Sequence, residues 1–239
     1  MKTKLSLSVL VCLFAIQAQA QNWLKGSISG EGDVVRQEIS VERFTGISLD
    51  FSGDIILVQG SGQKVTVEAQ QNIIDNIKTE VKDGVWHVRY EKNVRKAKPV
   101  KIQIMVPELD YVAVSGSGDI QTDGHFAKQE DLKLRVSGSG DIKMSVDART
   151  VESSISGSGS VTLAGSGNSN EIHISGSGDV YAADFRVTDC SISISGSGDA
   201  RVYAEGNLEV KVSGSGDVKY KGDANVKARI SGSGDVSKM

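Results

Sequence analysis

Six aspartates end the same short word, Ser-Gly-Ser-Gly-Asp, and carboxylates repeated in this way could bind calcium. Calcium takes about six to eight oxygen ligands, whereas each word supplies one carboxylate, and a seventh copy has Ser160 in that place. We therefore expect turn aspartates that accept hydrogen bonds from backbone amides, and no confident metal site. Calcium is the one cofactor that the pattern allows, and its weak candidate ligands are Asp179, Asp199, Asp217 and Asp235.

Catalytic chemistry has little support in the sequence. His87, His125 and His173 are isolated and have no metal-ligand spacing. The Gly-x-Gly strings lack the strand-to-helix transition of a nucleotide loop, and no paired carboxylates mark a glycosidase. We predict that the protein is not an enzyme. The alternative is a carbohydrate-active enzyme, a polysaccharide lyase or hydrolase, since long β-helices host such activities.

The repeat itself predicts the fold. Copies of the word start about every twenty residues, with spacings of 18–22, and this regularity is typical of a solenoid. Apolar and polar residues alternate on both sides of each word, as they do in half-buried strands. The first glycine of each word shares the inward parity and can form a sharp corner. These structural corner glycines are Gly116, Gly138, Gly157, Gly176, Gly196, Gly214 and Gly232.

The predicted fold is therefore all-β: a single-stranded parallel β-helix with coils of 18–22 residues, right-handed because right-handed crossovers dominate parallel connections. The segments between the repeat blocks hold glycine, asparagine and charge, and we expect loops there. Residues 28–34 and 49–55 are near copies of the word. About three degenerate coils are expected between the second near copy and Ser115, with a helical turn near residues 72–78.

The chain divides into a leader and one domain. Residues 1–20 have a basic start, an apolar run and a small-x-small site, which predicts a cleaved signal peptide and export to the periplasm, the cell surface or the medium. Residues 21–239 form one β-helix domain, irregular over 21–114 and regular over 115–239. The apolar run is too short for a membrane span, and we expect no transmembrane segment in the mature chain.

The net charge of the chain limits the classes of partner that we expect. The whole chain has a net charge of −3, and the leader removes two lysines and no acid, so we expect no nucleic-acid partner. The one basic stretch, Lys92 to Lys101, is interpreted as a solvated loop before a strand.

Cys12 leaves with the leader, and Cys190 falls in an apolar column, where a buried thiol is expected.

Several segments together resemble a known family. They are Phe44-Thr45-Gly46-Ile47, Ser52-Gly53-Asp54-Ile55, Val65-Thr66-Val67-Glu68-Ala69, Val106-Pro107-Glu108-Leu109 and the repeated words. In this order they resemble the putative auto-transporter adhesin family, called the head-GIN domain, over nearly all of residues 27–239. The resemblance implies a pectin-lyase-like β-helix exported by Gram-negative bacteria, a role in adhesion and no established catalytic residues. Fold alone does not settle function.

The sequence thus predicts a non-catalytic, exported solenoid that serves as an adhesion or scaffold protein and binds a glycan or a surface protein. A further alternative is a periplasmic partner that binds protein in envelope signalling. The last word, from Ser231, is followed by no capping element, and an uncovered solenoid end exposes strand amides and apolar side chains. We expect that end to be covered by a partner or by end-to-end self-association.

Overall fold

The computed structural model describes residues 26–239, so the predicted signal peptide lies outside the described residues. Its regular secondary structure is nearly all strand. The strands are β1 (Ile28–Ser29), β2 (Val34–Ile39), β3 (Gly46–Leu49), β4 (Asp54–Gln59), β5 (Lys64–Gln70), β6 (Val81–Lys82), β7 (Val85–Val88), β8 (Val94–Lys96), β9 (Lys101–Val106), β10 (Tyr111–Val114), β11 (Asp119–Thr122), β12 (Phe126–Gly138), β13 (Ile142–Gly157), β14 (Ser160–Gly176), β15 (Asp179–Gly196), β16 (Ala200–Gly214), β17 (Val218–Lys221), β18 (Asn225–Gly232) and β19 (Val236–Lys238), with one short helix, α1 (Gln71–Ile74).

The predicted solenoid is confirmed. Parallel coils stack in about seven turns, and equivalent residues of successive words pair with one another. Ile155 lies between Val136 and Ile174, for example, and Ile194 lies between Ile174 and Val212. The alternation of apolar and polar residues therefore converts directly into buried columns and exposed columns, because side chains in a strand alternate between its faces.

The segments between the repeat blocks are mostly strand, so the prediction of loops there was wrong for four of them. Residues 145–150, 164–169, 183–189 and 203–207 lie inside β13, β14, β15 and β16. Their apolar side chains are buried, including Val146, Phe185 and Val187. Differences in length are absorbed by register shifts, such as the one between Ala182 and Arg186. Strand pairing in these segments satisfies backbone groups that loops would leave to water.

The first coils are not stacked in sequence order. Strand β3 pairs directly with β10, and β4 pairs with β11, so residues 49–55 lie against the first regular word. The opposite side of β3 and β4 is covered by β7 and β9. Only one coil of the intervening stretch therefore belongs to the parallel stack, not three, and it is the last parallel coil at this end.

Residues 28–34 do not form a coil, although they are a near copy of the word. Strand β1 pairs with β8 in a separate sheet of two strands, while β2 pairs antiparallel with β5 and β5 pairs antiparallel with β9. Helix α1 brings Ile73 and Ile74 into the core, which also contains Trp86. This end of the stack is thus closed by antiparallel strands and a helical turn.

The core runs the length of the stack and is mostly aliphatic in the regular coils, where Phe126 and Phe185 are also buried. Among the described residues, no helix is long and apolar enough to cross a membrane.

Candidate functional site

The corners of the coils are shaped by glycine. From Gly138 onward, the first glycine of each word has φ between +127° and +139°, a region that side chains rarely adopt. A Cβ atom at Gly196 would overlap the carbonyl oxygen of Gly176 in the preceding coil. Gly116 is the exception: it has no positive φ, and its nearest neighbour, Phe51 O, would lie 3.9 Å from an added Cβ.

Hydrogen bonds between corners satisfy the backbone that the turn frees. The amide of Ser197 donates to Gly176 O at 2.8 Å, and the amide of Ala200 donates to Asp217 O at 2.9 Å. The amide of Asp199 donates to the side-chain oxygen Oδ1 of Asp179 at 2.9 Å. The same bond recurs from Asp141 to Asp119, from Asp217 to Asp199 and from Asp235 to Asp217.

Ser160 shows what the aspartate contributes. Its amide and hydroxyl both donate to Asp141 Oδ1 at 2.8 Å, but it offers no carboxylate to the coil above. The amide of Asp179 therefore donates to the carbonyl oxygen of Gly159, at a longer 3.3 Å. From Asp119 to Asp217, one oxygen of each corner carboxylate thus accepts a backbone amide of the next coil.

The four calcium candidates form one row along these corners, with one carboxylate in each coil. Within residues 26–239, no group of three or more histidine, cysteine, aspartate or glutamate side chains is placed to hold a metal ion. The carboxylates of Asp179, Asp199 and Asp217 each accept the next coil's amide through Oδ1, and the phenol of Tyr181 donates to Asp179 Oδ2 at 2.9 Å.

A serine-lined face runs along the stack beside the corners. It is a shallow depression of about 520 Å³ lined by Ser137, Ser154, Ser156, Ser175, Ser193 and Ser195, with Arg135 and His173 among them. The imidazole of His173 is exposed and lies 2.9 Å from Glu171 Oε1. Because these residues occupy successive coils, the face presents hydroxyl groups at a repeat of about 4.8 Å.

The structure assembles one set of polar side chains that the sequence reading missed. His125 Nδ1 lies 2.9 Å from Ser145 Oγ, and its Nε2 lies 2.8 Å from Asp147 Oδ2. A hydrogen bond from Ser166 and, to a smaller extent, one from His125 lower the pKa of the Asp147 carboxyl. The coil period could have revealed this set, because residues about twenty positions apart in the sequence become neighbours in the stack.

The order Ser–His–Asp resembles a nucleophile with its base, but the setting does not support that role. The side chains of His125 and Asp147 are 41% and 45% exposed, so water competes for both hydrogen bonds. The second oxygen of Asp147 accepts the hydroxyl of Ser166, which makes this a surface network across three coils. Catalytic sets are usually buried enough to exclude water and to perturb pKa values strongly.

Cys190 is buried, as the sequence predicts, and burial raises its pKa to about 12. It therefore stays a thiol and not a reactive thiolate. Asn170, in the adjacent coil, is also buried, and its Oδ1 has no hydrogen-bond partner among the described residues. The Asn170 side chain thus leaves one buried oxygen atom without a hydrogen bond.

The fold and its surface define a parallel β-solenoid with repeated corners, a serine-lined face and aliphatic columns. The family described as "Putative auto-transporter adhesin, head GIN domain" matches residues 43–224, and the chain belongs to this family. The resemblance stated from the sequence is thereby confirmed.

Solved structures share the fold over most of the chain. A putative adhesin from Bacteroides fragilis is 25% identical, with a TM-score of 0.81 over 89% of this chain and 100% of that one. A putative adhesin from Parabacteroides distasonis is 26% identical, with a TM-score of 0.67 over 89% and 100%. A putative lipid binding protein from the same species is 23% identical, with a TM-score of 0.70 over 89% and 99%. No curated protein matches the chain.

Proposed function

We propose that the mature chain is a non-catalytic, exported adhesion or scaffold protein that binds a surface glycan or protein through its serine-lined face. The observation that carries this proposal is the regular row of hydroxyl groups on coils whose backbone is paired from one corner to the next. Membership of a family described as adhesins supports it.

The physical basis is preorganisation. Hydroxyl groups act as donors and as acceptors, so a row of serines can match the hydroxyl groups of a sugar chain or the backbone of an extended peptide. The coils hold this row in place before a ligand arrives, because each coil pairs with two neighbours along nearly its whole length. Little conformational entropy is then lost on binding.

Blocking the face tests the proposal. The column of Ser154 and Ser193 already holds Arg135, His173 and Lys211, so arginine fits there without disturbing the coil. We expect the double variant Ser154→Arg/Ser193→Arg to lose about ten-fold or more in affinity for the glycan or protein that wild type retains on an array, about 1.4 kcal/mol.

The matched control adds the same two charges on another wall. Gln121→Arg/Thr162→Arg lies in the column of Lys143 and Arg201, which also accommodates arginine. We expect this control to bind like wild type. Equal loss in both variants would assign the effect to charge, and unchanged binding in both would remove the serine-lined face from the function.

A further inference from the structure

The outermost coil differs from all the others at its corner. Register places Leu49 opposite Val88 and Asp54 opposite Lys101. Four residues turn the corner in the coil of β3 and β4, whereas residues 89–100 turn it in the coil of β7 and β9. The insertion contains most of the basic stretch Lys92 to Lys101, for which the sequence predicts a solvated loop. Insertions on a rigid scaffold are the usual place for a binding site.

Two buried amides fix this inserted segment at both ends. Asn76 donates from Nδ2 to Lys92 O at 2.8 Å and accepts the amide of Lys92 on Oδ1 at 3.0 Å. Gln70 accepts the amide of Lys98 on Oε1 at 2.9 Å. Between these points, β8 pairs with β1, and the amide of Gly30 donates to Lys96 O at 2.7 Å. The segment is therefore held in one conformation and is not a free loop.

The fixed segment encloses an open groove of about 970 Å³ against the neighbouring corner. Phe51, at the position where the word has its first glycine, stacks on Tyr90 with ring centroids 4.2 Å apart and planes at 22°. Burial raises the pKa of Tyr90 to about 12, further above neutral pH, where its phenol is uncharged and can donate a hydrogen bond. The groove thus has an aromatic, neutral wall.

Basic side chains also line the groove. Arg89, Arg95, Lys96 and Lys98 line the groove, and Asp50 is the carboxylate among its lining residues. Within residues 26–239, Arg89 and Lys98 have carboxylate partners at 3.7 and 3.3 Å, whereas Arg95 and Lys96 have none. Two exposed cations beside a stacked aromatic pair form a surface to which an anionic group can bind without displacing an existing ion pair.

We infer that this groove binds an acidic oligosaccharide, with its carboxylate or sulfate on Arg95 and Lys96 and a sugar face against Phe51 and Tyr90. The aromatic wall supplies apolar contact for a ring, and the guanidinium of Arg95 can bind a carboxylate or a sulfate through two parallel hydrogen bonds. This site is separate from the serine-lined face, and it names a ligand class that the face does not.

Calorimetric titration of the mature protein tests the inference with three defined probes. Oligogalacturonate offers carboxylates, a heparin-derived oligosaccharide offers sulfates, and a dextran oligosaccharide of similar length is neutral. We expect one of the two acidic probes to bind, more weakly as salt rises, and the neutral probe not to bind. Which acidic probe binds identifies the anionic group.

Matched variants locate the site. Arg95→Gln/Lys96→Gln should weaken the acidic probe about ten-fold or more, whereas Lys219→Gln/Lys227→Gln removes two exposed lysines elsewhere and should change little. Phe51→Leu keeps an apolar side chain at the corner but removes the aromatic face, and should weaken the same probe several-fold. Each variant is first shown to melt like wild type.

Three results would overturn the inference. One is failure of both acidic probes to bind wild type. Another is an equal loss in the groove variant and in its lysine control. The third is equally tight, competing binding of a single-stranded oligonucleotide, since the groove would then read charge alone. If Ser154→Arg/Ser193→Arg no longer binds the acidic probe but the groove variant still does, the inference about the groove is refuted while the proposed adhesion function stands.

Discussion

In the regular part of a coil, backbone carbonyl groups accept the amides of the neighbouring coil. At the corner, the aspartate side chain accepts the amide instead. The corner turns the backbone away from the regular ladder, and Asp179 Oδ1 then accepts the amide of Asp199. At Ser160 this acceptor is missing, and the next amide makes a longer bond to Gly159. The repeated carboxylate is therefore explained by backbone satisfaction, which is costly to lose in a packed stack.

The corner glycines from Gly138 onward should tolerate no side chain. Gly196→Ala would combine a φ of +136° with overlap of the Gly176 carbonyl, and we expect a loss of about 3 kcal/mol or more in the free energy of unfolding. Gly62→Ala is the control, because nothing lies within 4 Å of its added Cβ and its φ is not positive. Denaturant titration measures both, and equal stability of the two variants would refute the corner explanation.

The buried amide of Asn170 should cost stability. Its Oδ1 lacks a partner within the described chain, and its column is otherwise apolar, with Val151 on one side and Cys190 on the other. We expect Asn170→Val to raise the free energy of unfolding by about 1–3 kcal/mol, because the desolvated oxygen is removed. A melting temperature below that of wild type would show that the amide has a structural role.

At the scale of the elements, local patterns predicted the strands but not their neighbours. The alternation around Val212 and Val218 correctly predicts buried columns, since it depends only on strand parity. The largely polar composition of residues 145–150 predicts a loop, but their backbone pairs with strands of the neighbouring coils. The placement of β7 and β9 outside β3 and β4 depends on long-range register, which no local pattern encodes.

The sites, too, differ in how far the sequence predicts them. The corner words were visible in the sequence because they repeat. The groove was not, because Phe51 and Tyr90 are far apart in sequence and Gln70 and Asn76 act through the backbone of the inserted segment. Their common signal is a departure from the repeat, namely a corner with phenylalanine in place of glycine and a corner with an insertion.

The row of corner aspartates predicts a clear response to chelation. Since Oδ1 of Asp179, Asp199 and Asp217 already accepts a backbone amide, the corners should hold without a metal ion. We expect the same melting temperature in excess chelator and in millimolar calcium. A large loss of stability in chelator, restored by calcium, would instead make the row a metal site.

At the scale of the whole molecule, one surface favours self-association. Strand β18 pairs with β16 on one side only among the described residues, and Ile230 is 42% exposed. An exposed strand edge with apolar side chains is a template for pairing. End-to-end association therefore stays a prediction: light scattering should show a concentration-dependent mass that Ile230→Lys reduces. A constant monomer mass for wild type at high concentration would contradict it.

This solenoid is proposed to bind a surface glycan or protein without transforming it. The most direct measurement probes a glycan array with the mature protein, incubates the retained glycan with it for many hours, and then weighs the recovered glycan by mass spectrometry. We predict saturable binding of at least one surface glycan, which is recovered with its mass unchanged. A retained glycan that is shortened or deacylated in proportion to the protein added would contradict the claim, and would turn attention to the exposed set of Ser145, His125 and Asp147.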